Sequence, residues 1–196
     1  MKYKYYIFDL DGTLIDSERS ICLALNQTLN HFGLDSLDFN IAKKYIGTPL
    51  KQVLANLSLD SDKAIEIYRP IYFELMKTHQ NLYDGIVEIL KLLKENKSMI
   101  FLATNKGRGG TDLSLEYASI KEYFDLTVTE TDVKRVKPSA DMFLFIKQFL
   151  INKNHKYSDN DFLMIGDSPI DYDFARNCGI DFAHASWGFY DLNDFA

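Results

Sequence analysis

The chain is poor in cysteine, has no basic excess and contains no long apolar run. Its two cysteines, Cys22 and Cys178, lie far apart, and neither stands in a C-x-x-C pair. That usage, without a secretory signal, predicts reduced thiols in a cytoplasm rather than a disulfide framework. The N-terminus, MKYKYYIFDLDG, sets acids inside its apolar stretch and lacks a small-residue cleavage site, so it does not read as a signal peptide. No apolar run reaches the roughly 18 residues that a membrane-crossing helix needs. The formal net charge is −6. Without cations to neutralise phosphates along a polymer, neither nucleic acid nor an anionic membrane is an expected partner. The four histidines (His31, His79, His155 and His184) are scattered, and no His/Cys cluster exists to suit zinc. Internal repeats and low-complexity linkers are absent too.

What is present is an alternation of strands and helices. The 196 residues are 46% hydrophobic, enough for a globular core. Tyr5 to Leu10 is a near-continuous apolar run, as in a strand buried on both faces. Ser98 to Ala103, Leu126 to Thr129 and Asp161 to Ile165 are similar, and Phe182 to Ala185 is a weaker fifth. Between them lie helical patterns. Gly85 to Lys97 sets Ile86, Ile89, Leu90 and Leu93 on one face, and Ala140 to Leu150 does so with Met142, Phe145, Ile146 and Phe149. This order predicts a parallel α/β sheet.

One region departs from it. From Asp16 to about Tyr83 every periodic segment reads as helix. Ile21, Ala24, Leu25, Thr28, Leu29 and Phe32 form a stripe that Gly33 closes. Thr48-Pro49 reads as an N-cap and first helical residue ahead of Leu50, Val53, Leu54 and Leu57. Ala64 to Met76 marks a further helix with a kink expected near Pro70. Cys22 and Cys178 fall on apolar helix stripes and read as small buried hydrophobes.

In a parallel sheet ligands bind beyond the carboxyl ends of the strands, so the polar residues there carry the chemistry. The first run ends in Asp9, Asp11, Gly12 and Thr13; the second in Thr104, Asn105 and Lys106. Beyond the third comes Lys137 ahead of Pro138, and after the fourth come Gly166, Asp167, Ser168 and Asp171. On one sheet edge, four carboxylates would repel unless a cation joined them. An oxygen-only set of this density suits Mg²⁺. A carboxylate beside Mg²⁺, with a lysine and a threonine to hold phosphate oxygens, points to phosphoryl transfer. Taken singly the residues have plainer uses: Asp9 and Asp11 as turn formers, Thr104 and Asp171 as helix caps, Lys137 as a surface lysine.

Together the four strand ends resemble the haloacid dehalogenase (HAD) superfamily of phosphatases, in a phosphoglycolate phosphatase-like branch. DLDGTL at 9 to 14, Thr104 in LATNK, Lys137 in VKPSAD and GDSPID at 166 to 171 resemble its four motifs in order. The resemblance implies a Rossmann-like parallel core of residues 1–15 and 84–196, with an α-helical cap of the first type inserted at 16–83. It implies that Asp9 is a nucleophile forming an aspartyl-phosphate and that Asp11 moves protons for the leaving group and for water. Mg²⁺ would be held by Asp9, the Asp11 backbone carbonyl and Asp167. Thr104 and the Asn105 backbone would bind the phosphoryl group, Lys137 would neutralise it, and Gly12 would permit close backbone approach. Asp171, next to Ser168, would support the metal shell or orient Lys137. The expected partner is a small phosphorylated metabolite, such as phosphoglycolate, a nucleotide or a sugar phosphate. The expected state is a monomer or weak homodimer. A β-phosphoglucomutase-like phosphomutase and a pyrophosphatase of the same family remain open.

Overall fold

The structure, a computed structural model, describes residues 2–195. Along the chain run β1 (Tyr5–Phe8), β2 (Ile15–Asp16), α1 (Glu18–His31), α2 (Phe39–Lys43), α3 (Leu50–Asn56) and α4 (Ser61–His79). They are followed by β3 (Asn81–Leu82), α5 (Ile86–Glu95), β4 (Met99–Ala103), α6 (Arg108–Tyr117) and β5 (Leu126–Val128). The last elements are α7 (Asp141–Asn152), β6 (Phe162–Gly166), α8 (Pro169–Cys178) and β7 (Asp181–His184). No helix among the described residues is long and apolar enough to cross a membrane.

β1 owes its place to its composition: all four residues, YYIF, are buried, as only a strand covered on both faces requires. It lies at the centre of a five-stranded sheet of order β5-β4-β1-β6-β7, in which every pairing is parallel. One face packs Phe101, Phe143, Phe162 and Phe174, each essentially free of solvent, and the other packs Ile86, Leu90, Leu93 and Leu115. Burying each such side chain contributes roughly 1.5–3 kcal/mol before entropy is counted. The β1–β4 and β1–β6 registers end level, with Phe8 opposite Leu102 and Ile165, so the residues after all three strands emerge together.

Helices α1 to α4 build their own buried cluster around Cys22, Leu25, Leu29, Leu54, Tyr68, Tyr72 and Met76. Gly33 ends α1 with φ +72°, and the Leu34 N–H returns to the Leu29 carbonyl at 3.0 Å. α4 runs as one element through Pro70.

Three expectations need correction. The chain enters and leaves the helical layer through an antiparallel ribbon, Ile15 opposite Leu82 and Asp16 opposite Asn81, which a two-residue strand has too little pattern to announce. Pro49 is the cap of α3 rather than its first helical residue; its ψ of 132° is extended, and Thr48 lies outside. On α7 the buried face is Met142, Phe143, Ile146 and Leu150, while Phe145 is 41% exposed. α7 is apolar almost all round, so its periodicity left the phase of the buried face undetermined.

Candidate active site

Asp9 follows β1 directly and is held in line with it, its N–H donating to the Ile165 carbonyl at 2.9 Å. The chain then turns sharply. Gly12 has φ +89°, and a Cβ there would collide with the Asp167 carboxylate. Glycine therefore does two things: it adopts the left-handed turn and lets backbone approach Asp167.

Behind β6, Gly166 opens a similar space, since a Cβ on it would strike Asp171. Ser168 caps α8, accepting from the Asp171 N–H at 3.3 Å and donating to Asp171 Oδ2 at 2.6 Å. Asp171 thus belongs to the capping box of α8 through Oδ2, and its other oxygen, Oδ1, accepts from Lys137 Nζ at 2.6 Å. The same ammonium donates to Asp9 Oδ1 at 2.6 Å. Lys137 is thus no surface lysine; it is 3% exposed and lies between two carboxylates. Burial works against its charge, but Asp171 and Asp9 outweigh burial and raise its pKa.

Asn105 sets that lysine in place. Its Oδ1 accepts from the Lys137 N–H at 2.9 Å, and its Nδ2 donates to the Lys137 carbonyl and to the Gly47 carbonyl of the helical layer, both at 3.0 Å. Thr104 is buried, and its Oγ1 accepts from the Lys106 N–H at 3.2 Å. It does not cap the next helix; Gly107 stands at that position.

Asp9, Asp167 and Asp171 each present an oxygen, all within 4.8 Å of one another. Burial pushes Asp9 well above the ordinary carboxylate range; Lys137 opposes this, while Asp171 and Asp167 add to it. Asp167 is pushed up to about 7, first by burial and then by Asp171, against hydrogen bonds from the Phe189 N–H and the Thr13 hydroxyl. Three buried carboxylates around one lysine are a charge excess that a hard divalent cation relieves, and the donors are all oxygens.

Asp11 stands apart from this trio. Ser17 Oγ donates to its Oδ1 at 2.6 Å, and Lys106 Nζ donates to Oδ1 at 2.8 Å and Oδ2 at 3.1 Å. The same Nζ donates to Tyr72 Oη of α4 at 2.6 Å and sits 4.6 Å from that ring's centre. Burial opposes the charge of Lys106, but Asp11 and Tyr72 raise its pKa overall.

All nine residues singled out from the sequence meet within one strand-end cluster. Reading the sequence places Thr13 and Lys106 at strand ends without giving them a role, and it misses Tyr72, Ser17 and the backbone of Phe189. Lys106 had a signal, since it ends the strand-end set after β4. Thr13 and Ser17 are ordinary hydroxyls in sequence, and Phe189 reaches Asp167 through its N–H at 2.8 Å, which no side-chain pattern encodes.

Above the cluster lies a cavity of about 120 Å³ between the sheet edge and α1, α3 and α4.

Known proteins are similar to this chain in sequence and in fold. The family described as haloacid dehalogenase-like hydrolase matches residues 6–185. The chain is 31% identical over 189 residues to a phosphoglycolate phosphatase of Aquifex aeolicus, covering 95% of this chain and 86% of that one. It is 29% identical over 194 residues to the pyrophosphatase PpaX of Bacillus cereus, covering 95% and 85%. Among solved structures, a haloacid dehalogenase-like hydrolase from Bacteroides fragilis superposes with TM-score 0.83 at 26% identity, over 99% of this chain and 92% of that one. The match takes in β1 with its carboxylates, the helical layer, and the lysine and aspartates beyond, so the chain belongs to the haloacid dehalogenase-like hydrolase family.

Proposed function

We propose that this protein is a Mg²⁺-dependent phosphatase that hydrolyses a small phosphate monoester through an aspartyl-phosphate on Asp9. The observation that carries this is the junction of Lys137, Asp9 and Asp171, with both ion-pair distances at 2.6 Å. A buried ammonium beside a strand-end carboxylate lets an anionic nucleophile approach an anionic phosphate.

Asp9, Asp167 and the Asp11 backbone carbonyl would hold Mg²⁺, with Asp171 beside them, and the ion would supply charge neutralisation at the phosphoryl oxygens. Asp9 attacks phosphorus, and the bond to the leaving oxygen breaks. Lys137 and Thr104, with the Asn105 backbone, hold the transferring oxygens. Asp11 has the proton role. Lys106 and Ser17 hold the Asp11 carboxyl in position, and Asp11 takes a proton from water in the second step. In the first step Asp11 gives the leaving alcohol its proton. Water then attacks the aspartyl-phosphate and releases phosphate.

Residues 16–83 act in this reading as a cap that closes over the cavity and excludes bulk water. Its hinges lie at Leu14 to Ser17 and Asn81 to Gly85, the two crossings tied by the β2–β3 ribbon. Support for the reaction class comes from relatives named as phosphoglycolate phosphatase and pyrophosphatase. The test is hydrolysis of p-nitrophenyl phosphate and a panel of phosphate esters with and without Mg²⁺. Metal-dependent phosphate release is expected; no release from any ester with metal present would refute the assignment.

A further inference from the structure

Behind Lys106 a chain of hydrogen bonds runs into the helical layer. Lys106 Nζ donates to Tyr72 Oη at 2.6 Å, Tyr72 Oη donates to Gln80 Oε1 at 3.2 Å, and Ser114 Oγ of α6 donates to the same Oε1 at 3.1 Å. Gln80 is the residue that ends α4. Chemistry fixes the direction of each bond, since a lysine ammonium only donates and an amide oxygen only accepts. The single hydroxyl proton of Tyr72 therefore goes to Gln80, and its lone pairs face Lys106. Tyr72 is 3% exposed, and its ring stacks on that of Tyr68 with centres 5.7 Å apart and planes 9° from parallel. Packing thus fixes the ring, and Gln80 fixes the hydroxyl.

At the other end of this chain stands Asp11. Its two oxygens are not alike: Oδ1 accepts from Ser17 Oγ at 2.6 Å and from Lys106 Nζ at 2.8 Å, whereas Oδ2 accepts from Lys106 alone, at 3.1 Å. Oδ2 is therefore the oxygen with room to carry a proton. Lys106 touches both oxygens and so sets the rotation of the carboxyl group. An ammonium has three hydrogens, and the two Asp11 oxygens and Tyr72 use all of them. The side chains of Lys106 and Asp11 are only 12% and 11% exposed, so water is a poor substitute for a lost partner.

We infer that Tyr72 is a positioning residue for protonation of the leaving group, acting through Lys106 on Asp11. The inference rests on the phosphatase reading above and deepens it. In the first step the bond from Asp9 to phosphorus forms and the bond from phosphorus to the ester oxygen breaks. The electron pair of the broken bond stays on that oxygen, which takes the proton from Asp11 Oδ2. Such a transfer needs the two oxygens within hydrogen-bond reach, so a carboxyl free to rotate loses rate. Without the Tyr72 hydroxyl, one N–H of Lys106 has no partner, and the ammonium leaves the double contact that orients Asp11. The loss depends on the ester. An alkyl alcohol must be protonated as it departs, whereas p-nitrophenol departs as a stable anion.

The test uses Tyr72→Phe, which keeps the ring and its stack on Tyr68 and removes only the hydroxyl. With Mg²⁺ present, kcat/KM is measured for p-nitrophenyl phosphate and for whichever alkyl phosphate of the ester panel the wild type cleaves fastest. The ratio of the alkyl to the p-nitrophenyl value is expected to fall about tenfold, a part of the roughly 10²–10⁴-fold that general acid catalysis supplies. In a Lys106→Met background, adding Tyr72→Phe should leave the ratio where Lys106→Met alone puts it. An equal loss on both esters, or no loss on either, would mark a merely structural hydroxyl. A further fall in the Lys106→Met background would mean that Tyr72 acts by another route. A wild type that cleaves no alkyl phosphate protonates no such leaving group. Each of these results would overturn the inference and leave the phosphatase reading intact. Phosphate release from no ester at all would remove both.

Discussion

Replacing Asp167 by asparagine should make the metal-free protein more stable at alkaline pH. Asp167 is 1% exposed, and its carboxyl is held at about 7 against an ordinary 3.8, chiefly by burial and then by Asp171. Because the folded value lies above the unfolded one, the native state binds more protons between about pH 4 and 7. Stability therefore falls as pH rises through that window and stays low above it. Raising a carboxyl from 3.8 to about 7 corresponds to about 4 kcal/mol of lost stability. Asparagine removes this term but can accept only one of the two hydrogen bonds that Thr13 and Phe189 offer, a loss of about 1–2 kcal/mol. The net gain near pH 8 is about 2–3 kcal/mol, which for a chain of this length is a rise of about 5–10 °C in Tm. Near pH 5 the two proteins should melt together, since the linkage loss of wild type is there only about 1–2 kcal/mol and offsets the hydrogen bond that asparagine gives up. Mg²⁺ should raise the wild-type Tm near pH 8 and leave that of Asp167→Asn almost unmoved. Thermal unfolding across pH, with and without Mg²⁺, reads all of this. A variant that melts below wild type near pH 8, or a wild-type Tm flat from about pH 5 to 8, would refute the reasoning.

Lys137→Met leaves Asp9 and Asp171 as buried charges without their partner, so urea unfolding should show a loss of about 3–5 kcal/mol; a loss under about 1 kcal/mol would contradict the buried junction. Lys106→Met releases Asp11 and Tyr72 together and should lower kcat about 100-fold with the circular dichroism spectrum unchanged; undiminished kcat would remove Lys106 from the proton-transfer site. Gly12→Ala forces an L side chain to φ +89° and against Asp167. It should cost about 1–2 kcal/mol in backbone strain and weaken Mg²⁺ binding, seen by calorimetric titration; unchanged affinity would separate the turn from the metal site.

Much of this arrangement is legible in the sequence because β1 and β4 are buried on both faces and β6 is buried on one and half-buried on the other. Continuous apolar runs such as YYIF and MIFLA mark such strands, and the polar residue that ends each run must then lie at a sheet edge. Asp9, Thr104 and Asp167 follow from that alone. The pairing of Lys137 with Asp9 does not, since 128 residues separate them and only the order of the strands brings them together. Lys106 was visible at its strand end, but its bond to Tyr72 depends on how the helical layer settles over the sheet. The β2–β3 ribbon, two residues a side, has no periodicity to read. The buried face of α7 is only half legible, with Met142 and Ile146 on it as expected, since apolar residues occupy nearly every side of the helix. Sequence pattern locates a buried face well when it contrasts with a polar one, and poorly when the contrast is missing.

Covalent chemistry at Asp9 is checked by trapping the phosphoenzyme. Acid quenching within a single turnover of a phosphate ester with Mg²⁺, followed by peptide mass analysis, should find a phosphoryl adduct on the peptide that carries Asp9. Asp9→Asn should show neither adduct nor turnover. Turnover that persists in Asp9→Asn, or an adduct on any other residue, would contradict the account.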